Sequence, residues 1–429
     1  MILSILMNWT FGLIIDKTSN RLKSSVLAVA VVANLGLLTY YKYFGFIIEN
    51  LNLLAGSTGV EINTEPIHLP IGISFFTFQA ISYVVDLYRG KFPVQKSVFN
   101  LGLYISMFPQ LVAGPIVRYE SIQNEIDSRV LSKDQLISGM RMFCVGLFQK
   151  VVIADTLARI VDSSLLNAGA FEFSTPMAWL WTVSYSLQIF FDFAGYSLMA
   201  LGLGRIFGFT FPKNFDQPYI STSIREFWRR WHISLSSWFR DYLYIPLGGS
   251  RGGELKTYRN LLIVFFVTGI WHGASWNFVF WGLFHGFFIV LERSKNIGNF
   301  LENRLPSALQ HVYLLLVVMI AWVFFRAETF PEATHIIKTM FSWSPPTEDS
   351  HIMSMASYYL NGWTTFILII ALVWSFISPE FARNSVDRVT GKEGVVRDTV
   401  LNYGSLLLMI SAFALVIAGS YTSFIYFRF

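Results

Sequence analysis

Residues 225–253 read REFWRRWHISLSSWFRDYLYIPLGGSRGG, and residues 261–286 read LLIVFFVTGIWHGASWNFVFWGLFHG. The first stretch is basic and rich in tryptophan. The second is long and apolar, and it carries His272 inside hydrophobic sequence. The rest of the chain has the same apolar character. Of 429 residues, 54% are hydrophobic and only 14% are charged, whereas a soluble domain carries about 25% charged residues. Too few charges remain for a water-facing surface, so an integral membrane protein is expected. The apolar runs are long rather than alternating ten-residue segments, which favours helices over a barrel. The expected fold is all-α, with room for roughly ten segments of about 20 residues each.

Outward from that stretch, apolar runs read as spans at Val26–Ile48, Pro70–Leu87, Leu136–Ile160, Met177–Phe209, Leu261–Leu291, Val312–Phe325, Trp363–Ile377 and Val400–Ile417. Phe99–Val117 is apolar but broken by Pro109, Gly114 and Pro115, and reads as a re-entrant or kinked segment. Lys150, Asp155, Gln188 and Asp192 are embedded in apolar sequence. Pro331–Trp343 reads as a surface helix, and Met1–Ile15 as a short apolar segment without signal-peptide features. No repeat or long linker divides the chain, so residues 1–429 read as one membrane domain. Cys144 is the single cysteine, which excludes an internal disulfide and a CxxC motif.

Between Lys213 and Arg259 stand eight Lys/Arg and four Asp/Glu, a net +4 out of the chain's +5. Such loops stay cytoplasmic. Read as one helix, Trp228, Trp231, Leu235 and Trp238 form an apolar stripe, and Arg225, Arg229, His232 and Ser236 an adjoining polar one. Two readings fit. One is an interfacial helix, with tryptophans at headgroup level and arginines on lipid phosphates. The other is a mouth for an anionic cytosolic cofactor, since the planar arginine fork binds phosphate bidentately.

His272 is costly at membrane depth, and ionisable residues there are usually functional. It reads either as a neutral histidine satisfied by a neighbouring helix or as a general base. Its reference pKa is near 6.5, and burial favours the neutral, proton-accepting form. On a continuous helix His285 would sit about 220° away from His272 and face elsewhere. HExxH is absent, and the seven histidines (68, 232, 272, 285, 311, 335 and 351) are scattered. These features exclude the metalloprotease motif and leave no metal cluster in sequence.

The runs 214–253 and 269–286 together resemble the membrane-bound O-acyltransferase family, in its bacterial alginate and peptidoglycan O-acetylation branch. LPIGISFFTFQAISYVVDLYRG (69–90), FPQLVAGPIVRY (108–119), GLFQKVVIADTLA (146–158), FFDFAGYSLMALGLGRIFGF (190–209), WVFFRAET (322–329) and FIYFRF (424–429) extend the likeness over nearly the whole chain. The resemblance implies a ring of tilted membrane and re-entrant helices around a funnel, with 210–292 as the catalytic region. It implies the WHG histidine, His272, at the waist and His232 as its partner about forty positions earlier. It also implies an N-terminus shorter than usual, lacking roughly two segments ahead of Met1–Asp16.

By the same resemblance, the activity is O-acetyl transfer from cytosolic acetyl-CoA to an extracytoplasmic polysaccharide, either direct or relayed by a separate SGNH-type transferase. The implied location is the bacterial inner membrane. Acetyl-CoA is the donor rather than a bound cofactor, and neither a metal nor nucleic acid is implied. Arg225, Arg229 and Arg230 are the expected phosphate ligands. Trp271, Asn277 and Tyr242 are candidate oxyanion donors by chemistry, and Trp228, Trp231 and Trp276 complete the expected substrate-binding set. The rival reading is a conduit or flippase for acyl donors or glycans, which the broken Pro109–Pro115 segment would suit. A scaffold for polysaccharide export is a third reading; it leaves the buried histidine unexplained.

Overall fold

The computed structural model describes residues 1–56, 62, 63, 65, 67–168, 173–343, 356–391, 394–419 and 424. His351 and most of the terminal FIYFRF lie outside these. In chain order the helices are α1 (Ile2–Lys17), α2 (Asn20–Leu38), α3 (Phe44–Ala55), α4 (Ile73–Tyr88), α5 (Val98–Ser106), α6 (Phe108–Leu111), α7 (Tyr119–Asp127), α8 (Lys133–Phe148), α9 (Asp155–Ala168) and α10 (Thr175–Ile206). They continue with α11 (Ile224–Arg230), α12 (Ile233–Phe239), α13 (Glu254–His272), α14 (Trp276–Arg293), α15 (Lys295–Asn303), α16 (Ser307–Arg326) and α17 (Phe330–Phe341). The last four are α18 (Ala356–Tyr359), α19 (Gly362–Phe376), α20 (Pro379–Thr390) and α21 (Val395–Ile417). π-Helical turns at Thr39–Tyr43 and Gln149–Ala154 join α2 to α3 and α8 to α9. A third, Arg240–Tyr244, follows α12.

Among the described residues, five helical stretches are long and apolar enough to cross a membrane: Asn20–Ala55, Lys133–Ser163, Thr175–Ile206, Ser307–Arg326 and Val395–Ile417. The bent pair α19 and α20 would make six. The sequence expectation was roughly ten. Other expected segments fall outside this set on length or charge: α4 has only 16 residues, and α13 opens on the charged run ELKTYR. The broken 99–117 stretch folds as α5, the single-turn α6 and an irregular return.

The 32-residue α10 is the central pillar, buried on nearly all sides. A helix of that length runs about 48 Å. α8 lies directly on it because glycines face each other. A Cβ on Gly146 would fall 2.5 Å from the Gly195 carbonyl oxygen. Small residues of this kind let membrane helices approach at backbone distance. The embedded charges meet at the same seam. Lys150 pairs with Asp155 and, at 3.1 Å, with Asp192, so charges of opposite sign are buried together.

Candidate active site

The 261–291 run is not one helix. The chain reverses at Gly273–Ser275, and α13 and α14 form an antiparallel hairpin. Glycines make that packing possible. A Cβ on Gly269 would stand 2.3 Å from the Phe278 carbonyl oxygen, and one on Gly282 2.2 Å from that of Phe265. His272 is therefore the last residue of α13, buried at the tip of the hairpin. Its ring centroid lies 5.0 Å from Trp271, 4.9 Å from Trp281 and 5.2 Å from Phe325. The reversal also corrects the place of His285. The rotation expected along a continuous helix does not apply, and the Trp281 ring lies within 5.0 Å of His285 as well.

The basic stretch is broken too. α11 ends at Arg230, and His232 takes φ 43°, ψ 55° before α12 begins. A left-handed conformation at a non-glycine residue costs of order 1–3 kcal/mol and needs surrounding structure to hold it. That structure is a short backbone pairing with residues 214–216. Ile233 N–H donates to the Asn214 carbonyl, and Asp216 N–H to that of Arg230, each at 2.9 Å. The continuous apolar stripe is thereby split. Trp228, Trp231, Leu235 and Trp238 are all buried in the protein core rather than set at an interface. Glu292 of α14 ties α11 to the hairpin by accepting the Ile224 and Arg225 N–H groups at 2.6 and 3.0 Å.

His232 is fully buried, and its Nδ1 lies 3.2 Å from the side-chain oxygen of Asn214. The same oxygen accepts from Ser234 N–H at 3.2 Å and from Ser234 Oγ at 2.8 Å. A backbone N–H can only donate, so this atom is the amide oxygen, and His232 must present Nδ1–H to it. The Nε2 lone pair is left open, and that nitrogen has no partner among the described residues. His285 is the opposite tautomer, since Trp228 Nε1–H donates to its Nδ1 at 3.3 Å. Trp271 stands between the two key histidines, 6.2 Å from His232 and 5.0 Å from His272 by ring centroids.

Two cavities reach α13 at neighbouring turns. One, of about 170 Å³, is lined by His272, Trp271, Lys42, Phe75, Val112 and residues 69–74. The other, of about 260 Å³, is lined by Arg225, Arg229, Arg240, Arg293, Trp228 and Ser236, with Thr268 and Phe265 from α13. Thr268 is one helical turn from His272, a rise of about 6 Å. Arg225 is engaged by Glu292 and Glu302, and Arg240 by Asp241. Arg229 and Arg293 carry no such ion pair among the described residues, so their guanidinium donors face the cavity uncommitted.

Arg230 does not line this cavity; it turns to Glu226 and Asp216. Tyr242 is likewise held elsewhere. Its hydroxyl donates to Asp86, and its ring lies under Arg89 and Arg118. Burial and the Asp86 contact push its phenol up, so it stays a protonated donor to that carboxylate. The neighbouring Asp241 is pushed up by burial, but Arg240 and Arg118 outweigh this and hold it below the usual range. Trp276 is largely exposed and donates to Asn50. Asn277 is buried and donates to the Ala327 carbonyl at 2.9 Å. Trp231 packs among Phe215, Phe227 and Trp322, away from both cavities. Of the three candidate oxyanion donors, Trp271 lines the His272 cavity; its Nε1–H has no partner among the described residues.

Sequence reasoning missed Asn214, Arg240, Arg293 and Lys42. Arg293 closes the apolar run that contains His272, and Lys42 is an ionisable residue inside an apolar span. Both were signals open to reading. Asn214 carried none, because its role depends on a backbone pairing across 18 residues. Among the described residues no three His, Cys, Asp or Glu side chains gather where they could hold a metal ion.

Comparison with known proteins gives the family. The family model described as "MBOAT, membrane-bound O-acyltransferase family" matches residues 95–325. The chain is 38% identical to the probable alginate O-acetylase AlgI of Pseudomonas putida, over 99% of this chain and 89% of that protein. It is 43% identical to the probable alginate O-acetylase AlgI of Azotobacter vinelandii, over 78% of this chain and 67% of the relative. It is 34% identical to the peptidoglycan O-acetyltransferase of Helicobacter pylori, over 99% and 86% respectively. Likeness of this extent and identity settles the class: the chain belongs to the membrane-bound O-acyltransferase family and is a membrane acyltransferase.

Proposed function

We propose that the chain moves acetyl from cytosolic acetyl-CoA towards an extracytoplasmic polysaccharide in the bacterial inner membrane. The polymer is an alginate-like exopolysaccharide or a cell-wall glycan, acetylated directly or through a partner transferase of SGNH type. The whole chain acts as one membrane domain, with 210–292 as its catalytic region. The observation that carries this reading is the convergence of two different cavities on adjacent turns of α13. One is rimmed by arginines and the other holds His272.

The arginine-lined cavity suits the donor. At about 260 Å³ it is smaller than the roughly 300–1,000 Å³ that encloses a drug-sized ligand. A slim thioester arm enters it, while the phosphates stay outside against Arg229 and Arg293. The acceptor hydroxyl enters the cavity of His272. Neutral His272 takes the hydroxyl proton as the oxygen attacks the thioester carbonyl carbon. The tetrahedral oxyanion collapses, the C–S bond breaks, and the imidazolium returns the proton to the leaving thiolate. The products are an ester and free CoA thiol. General-base help of this kind contributes about 10²–10⁴-fold, and a ring-walled site keeps water from the thioester. Trp271 Nε1–H is the oxyanion donor best placed for this step, and His232, which packs near Trp271 and lines neither cavity, acts as a positioning residue.

A sided vesicle assay tests the reading. Labelled acetyl-CoA is supplied only to the face bearing the 213–259 loop or only to the other face, and label on envelope polymer is counted. Transfer is expected only from the loop face. Equal transfer from both faces would remove the donor assignment. Uptake of acetyl-CoA or glycan without ester formation would favour the conduit.

A further inference from the structure

The π-helical turn between α2 and α3 sends two side chains into the end of α13. Tyr43 Oη donates to the Ile270 carbonyl at 2.9 Å. Lys42 Nζ donates to the Trp271 carbonyl at 2.6 Å, to the His272 carbonyl at 3.1 Å and to Ser74 Oγ at 3.3 Å. Three successive carbonyls of the last turn, which a helix leaves unsatisfied by itself, are thus taken by adjacent residues about 230 positions earlier. Lys42 Nζ thus has three acceptors within reach, as many as an ammonium has protons. Its charge also complements the negative end of the helix dipole. Lys42 and His272 line the same cavity, so the group that fixes the helix end stands beside the group that does the chemistry. Departures from regular α-helix of the 39–43 kind often mark functional sites.

We propose that Lys42 is a positioning residue for the transfer centre: its ammonium, with Tyr43, locks the last turn of α13 so that the His272 ring is held in the acceptor cavity. The proposal rests on the reading of His272 as the base. It draws a residue outside the matched 95–325 region into the site.

Full-length wild type, K42M, K42R and Y43F are compared in nanodiscs at matched insertion, with two readouts. The first is amide hydrogen exchange of the peptide spanning 268–276, which does not depend on any assigned activity. K42M is expected to speed exchange there about tenfold or more, and K42R to stay close to wild type. The second is acetyl transfer from acetyl-CoA. K42M is expected to lower kcat about 10–100-fold with the acetyl-CoA KM within about twofold, and K42R to restore most of kcat. Should K42M fail to insert, Y43F is the milder variant: faster exchange in the same peptide with lower kcat supports the proposal, and wild-type behaviour overturns it. Unchanged exchange in K42M overturns the clamp. Faster exchange with wild-type kcat overturns the positioning role. Wild type that transfers no acetyl defeats the acetyl-CoA reading instead, a failure seen in a different sample.

Discussion

The Asn214 side-chain oxygen stands 3.2 Å from His232 Nδ1 while accepting from the Ser234 backbone N–H. That one oxygen fixes the histidine tautomer and leaves Nε2 as the free acceptor. It also braces a left-handed turn that no glycine relieves.

Asn214→Ala is therefore expected to act through His232. Alone it lowers kcat roughly 10–100-fold, the loss of one oriented hydrogen bond and of the tautomer it selects. In a His232→Gln background the same change costs about twofold or less, because the residue it orients is gone. A double-mutant cycle on transfer rates reads this coupling. Additive effects would mean that Asn214 supports the fold and not the histidine.

Arg229 and Arg293 line the cavity proposed for the donor, without ion-pair partners among the described residues. Replacing either by Gln is expected to raise the acetyl-CoA KM about tenfold and leave kcat nearly unchanged, the pattern of lost uniform binding. Raising salt from about 0.1 to 1 M shortens the screening length from about 10 to 3 Å, so the wild-type KM should rise and the variants respond less. Arg230→Gln, outside the cavity, is the control and keeps its KM.

The hairpin depends on glycine contacts. Gly269→Ala drives a methyl into the Phe278 carbonyl and is expected to cost about 1–3 kcal/mol of stability, along with activity. Gly362→Ala in α19, where nothing lies within 4 Å, should leave both intact. Thermal unfolding in detergent, followed by tryptophan fluorescence, compares the two. Equal stability would show that α13 and α14 can part without penalty.

Lys150→Met leaves Asp155 and Asp192 together in the α8–α10 seam without their shared cation. Breaking a buried pair by removing one partner costs about 3–5 kcal/mol. A large fall in melting temperature is expected, with partial recovery in Lys150→Met/Asp155→Asn/Asp192→Asn. A variant as stable as wild type would place the pair outside the stabilising core.

The membrane class was legible in the sequence, because apolar runs are a local property, and so was the place of His272 inside one; the pairing of His232 with His272 came only from the family resemblance. The geometry around these histidines was not legible. The break at Trp231–His232 is held by residues 214–216, so helical periodicity carried straight through it and turned a buried cluster into an interfacial stripe. The 261–291 run looked continuous because Gly269 and Gly282 do their work only once two helices pack. Tyr242 looked like a candidate oxyanion donor until Asp86, Arg89 and Arg118 arrived from distant segments. Lys42 was visible as a charge in an apolar span, but its target lies about 230 residues away.

The central claim is that His272 removes the acceptor proton. Its most direct test is transfer of labelled acetyl from acetyl-CoA to envelope polymer by wild type and His272→Gln, with insertion matched and any neighbouring SGNH-type transferase co-expressed. The expected result is a fall in kcat of about 10²–10⁴-fold with acetyl-CoA binding retained. Wild-type transfer by the glutamine variant would contradict the general-base role and turn attention to the conduit.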